Sequence, residues 1–428
     1  MSADENVSGE TPNTAGETPA LPGKIPSRMR RISSLITAHY AEIILAHAAN
    51  KNYILRILCG EYMYIHEQKD WPEFRWDQTR LAALLADVRH DQGRWLGGME
   101  ALCFQLREEA TLQTLTMDVV KTSEIEGEKL DAKQVRSSVA RRMGLDVGET
   151  PTPDRNVEGI VELMLDATRN CDAPLTPERL FSWHDALFPT GRSGMRRIVV
   201  GGWRTKESGD MQVVSGPIGH ETVHYEAPSY DRLKKEMAGF LKWFNATAEI
   251  DPVLKSALAH FWFVTIHPFE DGNGRIARAI ADMMLAHSEK TSQRFYSMSS
   301  QIQRERKDYY LVLERCQKGS LDITLWMEWY LKCLKRAIGA SEKILDAVMV
   351  KAGFWKAHAG ESLNDRQRKV INRLLDGFEG KLTSSKWAKL TKCSQDTALR
   401  DITELVERKI LKKDNAGGRS TSYKLSKS

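Results

Sequence analysis

One polar loop between two apolar helical segments constrains the fold of this 428-residue chain more than any other feature. Residues 252–266 carry apolar side chains at helical spacing and lead directly into His267-Pro268. Because proline cannot continue a helix and disfavours the helical conformation of the residue before it, the first helix is predicted to end at His267, with its imidazole ring free. The second helix is predicted to begin near Arg275. Two helices joined by a polar loop are therefore the best-defined part of the predicted fold.

The second half of the loop has the composition of an anion site. Gly272, Asn273 and Gly274 tolerate positive φ, so their successive N–H groups can point to one side, and the following helix directs its N-terminal dipole to the same place. Arg275 and Arg278 lie three residues apart on that helix, where both guanidiniums can reach the loop and bind phosphate oxygens. Each feature alone is more typical of a turn or a solvated helix face. Together they predict a phosphate site.

Two further side chains give the loop reactive groups. Asp271 places a carboxylate beside the phosphate site, which is the usual way to bind Mg²⁺ together with a nucleotide. His267, with an ordinary pKa of about 6.5, can accept a proton from a hydroxyl at neutral pH. A single histidine before proline is more often only the end of a helix. A base, a metal ligand and an anion site in one loop predict an enzyme that transfers part of a nucleotide.

Most of the remaining chain is predicted to be helical. Apolar residues recur three and four apart in these segments: 33–58, 77–91, 93–112, 157–167, 177–187, 230–244 and 303–352. Residues 211–226 differ, because two β-forming stretches flank Gly216-Pro217, which predicts a short hairpin. In a helical protein such a hairpin is more often a functional flap than part of the core. Residues 1–28 are rich in Gly, Pro, Thr, Ser and Glu and are predicted to be disordered.

Cysteine use and hydropathy bound the compartment and exclude several classes of site. The six cysteines are scattered without a Cys-x-x-Cys pair, which argues for a reducing compartment and against a zinc site or a disulfide framework. No stretch approaches the roughly 18 uninterrupted apolar residues of a membrane helix. The start of the chain lacks the order of a signal peptide. The predicted location is the cytoplasm, with no membrane partner.

The C-terminal residues 362–428 differ in charge from the rest of the chain. They contain 16 Lys and Arg against 8 Asp and Glu, although the formal net charge of the whole chain is only +5. Helices are predicted over 365–375, 384–391 and 394–408, followed by two short strands around residues 414–419. Three helices followed by a basic hairpin is the order of a winged helix-turn-helix domain, which implies an anionic partner for this region.

The loop 267–278 resembles the signature of the Fic (filamentation induced by cAMP) family, HPFx(D/E)GNGRxxR, and has every fixed position of it. The resemblance implies a mainly α fold, an all-helical core with the 211–226 hairpin as a flap that aligns a target chain by β-augmentation. It also implies protein adenylyltransferase activity, the Mg²⁺-dependent transfer of AMP from ATP to a Ser, Thr or Tyr hydroxyl. By this likeness His267 is the general base and Asp271 the Mg²⁺ ligand. The residues that would bind the α- and β-phosphates are Gly272, Asn273, Gly274 and Arg275, and Arg278 would bind the γ-phosphate. Phe269 is expected to pack in the core.

A second motif resembles the inhibitory helix of the same family. Residues 122–127 fit the pattern (S/T)xxxE(G/N), upstream of the loop. In relatives with this motif the glutamate pairs with the second arginine of the signature, so Glu126 is expected to pair with Arg278. A carboxylate there would occupy the guanidinium and repel the γ-phosphate. A short pattern of this kind also occurs in plain helices.

The flanks of the chain extend the resemblance to residues 63–428. Residues 64–77 are similar to the opening of bacterial Fic proteins with an N-terminal helical domain, and many of these proteins end in a winged helix. Met63 is therefore a candidate for the true start. The predicted organisation is an extension over 1–62, an N-terminal helical domain over 63–150, a Fic catalytic domain over 151–350 and a winged helix over 362–428.

Several alternatives stay open at this point. The same site could remove AMP, with Glu126 positioning water, or the chain could be a DNA-binding transcriptional regulator with a Fic sensor or toxin-like domain. The donor could also be a different nucleotide, such as a CDP-linked one. Expected partners are a target protein with an acceptor hydroxyl, the chain itself, DNA bound by the winged helix, or a second copy in a homodimer. The acidic residues of segment 394–408 weaken the expectation of direct groove reading.

Overall fold

The computed structural model describes residues 63–426 apart from 101–103, 146–151, 218, 219, 221, 248, 292, 376, 379 and 415–420, and describes the backbone alone at 105 and 342–347. The predicted disorder of residues 1–28 and the predicted helix over 33–58 lie outside the described residues. Within them the chain is mainly helical, as predicted. The helices are α1 (Gln78–Glu100), α2 (Phe104–Ile125), α3 (Ala132–Met143), α4 (Arg155–Arg169), α5 (Pro177–Leu187), α6 (Tyr230–Asn245), α7 (Pro252–Ile266), α8 (Asn273–Glu289), α9 (Met298–Arg304), α10 (Arg306–Gln317), α11 (Thr324–Ala357), α12 (Asp365–Leu375), α13 (Ser384–Thr391) and α14 (Gln395–Glu407).

The boundary between the first two helices differs from the prediction. Instead of helices over 77–91 and 93–112, α1 continues through Gly93 to Glu100, and α2 ends only at Ile125. A glycine inside a helix costs only about 1 kcal/mol, which tertiary packing readily offsets. On α1 that packing comes from Val88, Trp95 and Met99, which are all buried at helical spacing. A single glycine was therefore too weak a signal to end the helix.

The predicted helical stretch 303–352 is divided into separate helices. Helix α9 ends at Arg304, α10 ends at Gln317 and α11 starts at Thr324. The last break is stabilised by Asp322, whose carboxylate accepts hydrogen bonds from both the N–H and the hydroxyl of Thr324 at 2.9 and 2.6 Å. These contacts fix the chain immediately before α11, which has Ile323 at its N-cap.

The core is built around α7. Every residue of this helix from Val253 to Ile266 is buried, and α8 packs along it. A helix that is apolar around its whole circumference belongs in the interior of a protein. Its start is defined by Asp251, whose carboxylate accepts from the N–H of Val253 at 2.8 Å, with Pro252 as the first helical residue. The loop that follows α7 therefore begins from a rigidly held position.

Three two-stranded antiparallel hairpins accompany the helices in the described residues. They are β1 (Arg192–Ser193) with β2 (Arg196–Arg197), β3 (Gln212–Ser215) with β4 (Thr222–Glu226), and β5 (Leu411–Lys413) with β6 (Tyr423–Leu425). The predicted 211–226 hairpin is confirmed. Tyr225 of β4 is buried and donates its hydroxyl to the carbonyl of Thr265 on α7 at 2.8 Å. Strand β4 thus anchors the hairpin, and β3 forms its outer edge.

The C-terminal helices form a second apolar cluster. Val370 of α12, Trp387 of α13 and Ile402 of α14 are buried together, next to the β5–β6 hairpin. The predicted element order, three helices and then a hairpin, is confirmed, whereas the assignment of these elements to the winged-helix fold stays a prediction. No helix in the described part of the chain is long and apolar enough to span a membrane.

Candidate functional site

His267 lies at the C-terminal end of α7 in a left-handed conformation, with φ 51° and ψ 60°. The prediction of a free imidazole ring is wrong, because Nδ1 lies 3.1 Å from the carbonyl oxygen of Val264. A carbonyl oxygen can only accept, so Nδ1 carries the hydrogen and Nε2 has the lone pair. Burial lowers the pKa of His267 below 6.5, and Arg204 lowers it further. The ring is therefore a neutral base with one defined accepting nitrogen.

Asn273 holds the loop in shape. Its side-chain oxygen accepts from the N–H of Phe269 at 3.0 Å, and its amide donates to the carbonyl of Phe269 at 2.8 Å. Only 2% of Asn273 is exposed, so both polar atoms are committed to the loop. Phe269 is fully buried, as predicted, and stacks on His184 with 4.2 Å between ring centroids. Any contact of Asn273 with a phosphate would thus come from its backbone N–H.

The two glycines of the loop are required for different reasons. Gly272 has φ +80°, and a Cβ added there would lie 2.9 Å from the Phe188 ring. At Gly274 a Cβ would lie 2.1 Å from Oε1 of Glu126 and 3.2 Å from Nη1 of Arg278. The space above Gly274 is therefore filled by a carboxylate oxygen. The anionic group that lies against the loop is thus the carboxylate of Glu126.

Arg278 is bound by the end of α2. Its Nε donates to the hydroxyl of Thr122 at 2.7 Å, and its Nη2 donates to the carbonyl of Thr122 at 3.0 Å and to Oε1 of Glu126 at 2.7 Å. The arginine side chain is 2% exposed and that of Glu126 is 30% exposed. Nη1 of Arg278 is buried without a hydrogen-bond partner among the described residues. The expected Glu126–Arg278 ion pair is present.

Arg275 is bound by a second carboxylate from the same turn, which the sequence did not predict. Its Nη1 donates to Oε2 of Glu128 at 2.8 Å, and its guanidinium lies 5.0 Å from the centroid of the Phe188 ring. Its Nε is also buried without a partner among the described residues. Gly127, with φ +87°, lets the chain turn between the two glutamates. One turn therefore supplies a carboxylate to each arginine.

Asp271 is held in place on both sides of its carboxylate. Oδ1 accepts from the N–H of Gly272 at 2.5 Å, and Oδ2 accepts from the hydroxyl of Ser193 on β1. Within the described residues no group of three or more His, Cys, Asp or Glu side chains is placed to bind a metal ion. A Mg²⁺ ion bound with a nucleotide uses one or two carboxylates and takes its other ligands from phosphates and water, so Asp271 is the residue that could hold such an ion.

A cleft of about 1180 Å³ opens beside these groups. Glu126, His267, Asp271 and Gly274 line it together with β3 and α10. Tyr310 of α10 also lines the cleft. Its hydroxyl lies 3.4 Å from the carbonyl of Ile125, which directly precedes the turn 126–128. Four of the predicted site residues are thus brought to one cavity that is large enough for a small ligand, and the other four lie next to them on the loop and on α8.

Two buried residues that support the loop were not predicted. Arg204 donates from Nε to the carbonyl of His267 at 3.0 Å, and its backbone N–H donates to the carbonyl of Pro268 at 2.9 Å. Nε2 of His184 lies 3.2 Å from the carbonyl of Asp271, and burial lowers the pKa of His184 to about 4. Each lies more than 60 residues from the loop contact that it makes, and no local pattern in the sequence marks either of them.

Comparison with known proteins places the loop in a family. Residues 174–285 match the model of the Fic/DOC family, and residues 64–145 match the model "Domain of unknown function (DUF4172)". This chain carries a Fic/DOC domain. The matched region contains the complete loop together with α5 to α7 and most of α8.

Several curated relatives of this chain are named protein adenylyltransferases. Protein adenylyltransferase fic-1 of Caenorhabditis elegans is 28% identical over 182 residues, which are 41% of this chain and 32% of the relative. Protein adenylyltransferase Fic of Drosophila grimshawi is 25% identical over 261 residues, 58% of this chain and 50% of the relative. The chain thus spans half or less of the length of these relatives.

Among solved structures, a Fic family protein from Desulfovibrio desulfuricans is 22% identical to the chain, with a TM-score of 0.46. The match covers 81% of this chain and 96% of the other. The Fic-1 structure from C. elegans is 20% identical with a TM-score of 0.42, and covers 63% of this chain and 74% of the other.

Proposed function

We propose that this Fic/DOC protein is an autoinhibited protein adenylyltransferase, which transfers AMP from ATP to a Ser, Thr or Tyr hydroxyl of a target protein. The observation that carries the proposal is the geometry of the loop: the accepting Nε2 of His267 and the carboxylate of Asp271 line one cleft with Gly274, and the guanidiniums of Arg275 and Arg278 follow directly on the first turns of α8. Phosphoryl-type transfer depends mainly on positioning and on stabilising negative charge, and this set of groups provides both.

His267 takes the acceptor's proton. As the hydroxyl oxygen bonds to the α-phosphorus, the bond between that phosphorus and the bridging oxygen breaks, and pyrophosphate leaves. The proton moves to Nε2, because Nδ1 is already committed to Val264. The positive charge that develops on the ring is held near the carboxylate of Asp271, which raises its proton affinity. The backbone carbonyl of Val264 keeps the ring oriented.

The nucleotide's phosphates would bind where the two arginines and the start of α8 meet. Nε of Arg275 and Nη1 of Arg278 are buried donors without partners in the described residues, and a phosphate oxygen would satisfy them. Mg²⁺ bound at Asp271 would neutralise phosphate charge. The residues present fit this ion, as a single fixed carboxylate beside a phosphate site.

Autoinhibition follows from what now occupies that site. The carboxylate of Glu126 lies against Gly274 and binds Arg278, and Glu128 binds Arg275. Both carboxylates occupy guanidiniums that the phosphates would use, and their negative charge repels phosphate. Binding of ATP in a productive position therefore requires the turn 126–128 to move, and the resting activity should be low.

The acceptor segment would bind along β3. This strand pairs with β4 on one side, and its other edge has no strand partner in the described part of the sheet. Residues Met211 to Ser215 line the cleft. A peptide added to such an edge is held by its backbone, so the strand can place a hydroxyl without reading its sequence.

The proposal is tested with ATP labelled at either the α- or the γ-phosphate, incubated with Mg²⁺, the Glu126→Gly variant and cell lysate. We expect label on protein from the α position and none from the γ position. Label from γ would assign phosphoryl transfer instead. Loss of AMP from a modified target, dependent on intact Glu126, would assign the reverse reaction. The absence of both results would overturn an AMP-based function.

The pH dependence of the reaction is predicted from His267. Its pKa lies below 6.5 in the folded protein, so the ring stays neutral at pH 6.5 and becomes protonated only at lower pH. We therefore expect kcat/KM to decline on the acid side with a midpoint below 6.5. The rate is measured between about pH 4.5 and 8 at saturating Mg²⁺. A midpoint above 6.5 would contradict the assignment of this base.

A second function, nucleic-acid binding by the C-terminal region, is favoured by the position of Asp401. This residue of α14 is 4% exposed and accepts hydrogen bonds from Asn364 at 3.0 Å and from Arg366 at 2.8 and 3.0 Å. Its charge is thus directed into the domain. The exposed residues of α14 include Leu399 and Arg400, together with Asp396 and Glu407. The sequence-based objection to groove binding does not hold at Asp401.

This second function predicts salt-dependent binding of duplex DNA by the whole chain. Lys412 and Lys413 of β5 are exposed, and replacing both by glutamate should weaken binding about 10-fold or more by removing phosphate contacts. Replacing Lys234 and Lys235, an exposed pair on α6, is the matched control. Fluorescence anisotropy against salt concentration measures the effect. Equal binding by both variants would exclude a role for β5.

A further inference from the structure

A short hairpin carrying three arginines adjoins the Fic loop. We call residues 191–198 the arginine hairpin: β1 and β2 pair Arg192 with Arg197 and Ser193 with Arg196, and Met195 at the tip is 94% exposed. All three arginines are exposed. Neither the nucleotide site nor the flap requires this hairpin.

The charges of the arginine hairpin are not neutralised by the protein. Arg192 and Arg197 lie directly opposite each other, and like charges in such a pair destabilise a ladder. Within the described residues neither has a carboxylate within ion-pair distance, and Arg192 donates only to the carbonyl of Met195 at 3.0 Å. Arg196 is 3.7 Å from Glu270 but remains 66% exposed. A repulsive, exposed pair of this kind is suited to a negatively charged partner.

The arginine hairpin is attached to the loop that carries the base. The hydroxyl of Ser193 donates to Asp271, and Arg196 faces Glu270, whose carboxylate also accepts from Ser208. Glu270 and Asp271 both line the cleft, three and four residues after His267. A chain segment that presents a hydroxyl to His267 therefore has the arginine hairpin within a few residues' reach.

The nucleotide is not the expected binding partner of the arginine hairpin. Its phosphates have the buried donors of Arg275 and Arg278 on α8, whereas Arg192 and Arg197 are exposed on a separate hairpin. We propose that the arginine hairpin is a docking surface for the acceptor protein, and that it selects hydroxyls with Asp or Glu side chains a few residues away. This inference rests on the proposed adenylyl transfer.

The test uses the full chain with Glu126→Gly and two synthetic peptides that share one acceptor hydroxyl. One peptide has Asp and Glu on both sides of the hydroxyl, and the other has Asn and Gln. We expect the acidic peptide to have a KM about 10-fold lower, and Arg192→Glu with Arg197→Glu to remove that preference. The KM for ATP should not change. A control with equal charge change is Lys234→Glu with Lys235→Glu, two exposed residues of α6.

Each outcome has a defined meaning. An unchanged preference in the hairpin variant would overturn the proposal, and so would a raised KM for ATP, which would assign the arginines to the nucleotide. Arg192→Gln with Arg197→Gln is a second variant, expected to keep the melting temperature while losing the preference. Binding of the labelled acidic peptide without ATP, measured by anisotropy, separates docking from chemistry. If the unsubstituted hairpin binds the acidic peptide, the Gln variant does not, and no peptide receives AMP, the proposed function is rejected. The assignment of the arginine hairpin as a docking surface then still holds.

Discussion

Replacing His267 by alanine in the Glu126→Gly chain is expected to lower kcat for AMP transfer by about 100- to 10,000-fold, the range that a positioned general base contributes. The acceptor hydroxyl would lose the Nε2 that takes its proton, while the arginines and the start of α8 would remain. The affinity for ATP should therefore stay within about twofold, because His267 offers no donor that the phosphates need. Incorporation of α-labelled ATP measures kcat, and calorimetry measures ATP binding.

His287→Ala is the matched control for this result. His287 is on the last turn of α8, half-exposed, and its Nδ1 lies 2.7 Å from the carboxylate of Asp172. The His287→Ala substitution should leave kcat within about twofold of the parent Glu126→Gly chain, as expected for a surface substitution. If His267→Ala kept more than a tenth of the activity, the base would be another group. His184 does not replace it, because its Nε2 is bonded to the carbonyl of Asp271 and burial lowers its pKa to about 4.

Helix bounds were predicted well where capping residues and proline mark them. Helices α5 and α7 begin at Pro177 and Pro252 as predicted, after Thr176 and Asp251, whose side chains accept from backbone N–H groups of the first turn. The prediction was wrong at Gly93, where a single glycine was taken as the helix boundary. Packing of the buried face of α1 outweighs the weak helix-breaking preference of one glycine. Helix α3 is not among the predicted helices, since few of its residues are apolar.

The site divides in the same way between local and distant residues. The residues from His267 to Arg278 are contiguous, so their order in the chain already brings them together, and the glycines, the helix start and the two arginines in combination predict a phosphate site. Glu128 and Arg204 reach the loop from 147 and 63 residues away along the chain. Such contacts depend on how helices pack, and a single charged residue carries no pattern that reveals them.

Replacing Glu126 by glycine is expected to raise AMP transfer by about 10- to 100-fold, since the change removes one charge-assisted hydrogen bond to Arg278 and empties the space above Gly274. Glu128→Gln should raise it only about two- to fivefold, because the side chain of Glu128 is 51% exposed and its ion pair is screened by water. The double variant should exceed either single one. In the His267→Ala background the same changes should tighten ATP binding without turnover.

Glu124→Gln tests whether these gains come from the arginines or from a loosened helix. Glu124 lies on the last turn of α2 and pairs with Lys121 at 2.7 Å, so its loss perturbs the helix end without touching the loop. The activity of the Glu124→Gln variant should match that of the unsubstituted chain. If Glu124→Gln activated as strongly as Glu126→Gly, the inhibition would reside in the packing of α2 and not in its carboxylates. If only Glu126→Gly and Glu128→Gln activate, each in proportion to the burial of its ion pair, the two arginines are the groups that the turn withholds from ATP.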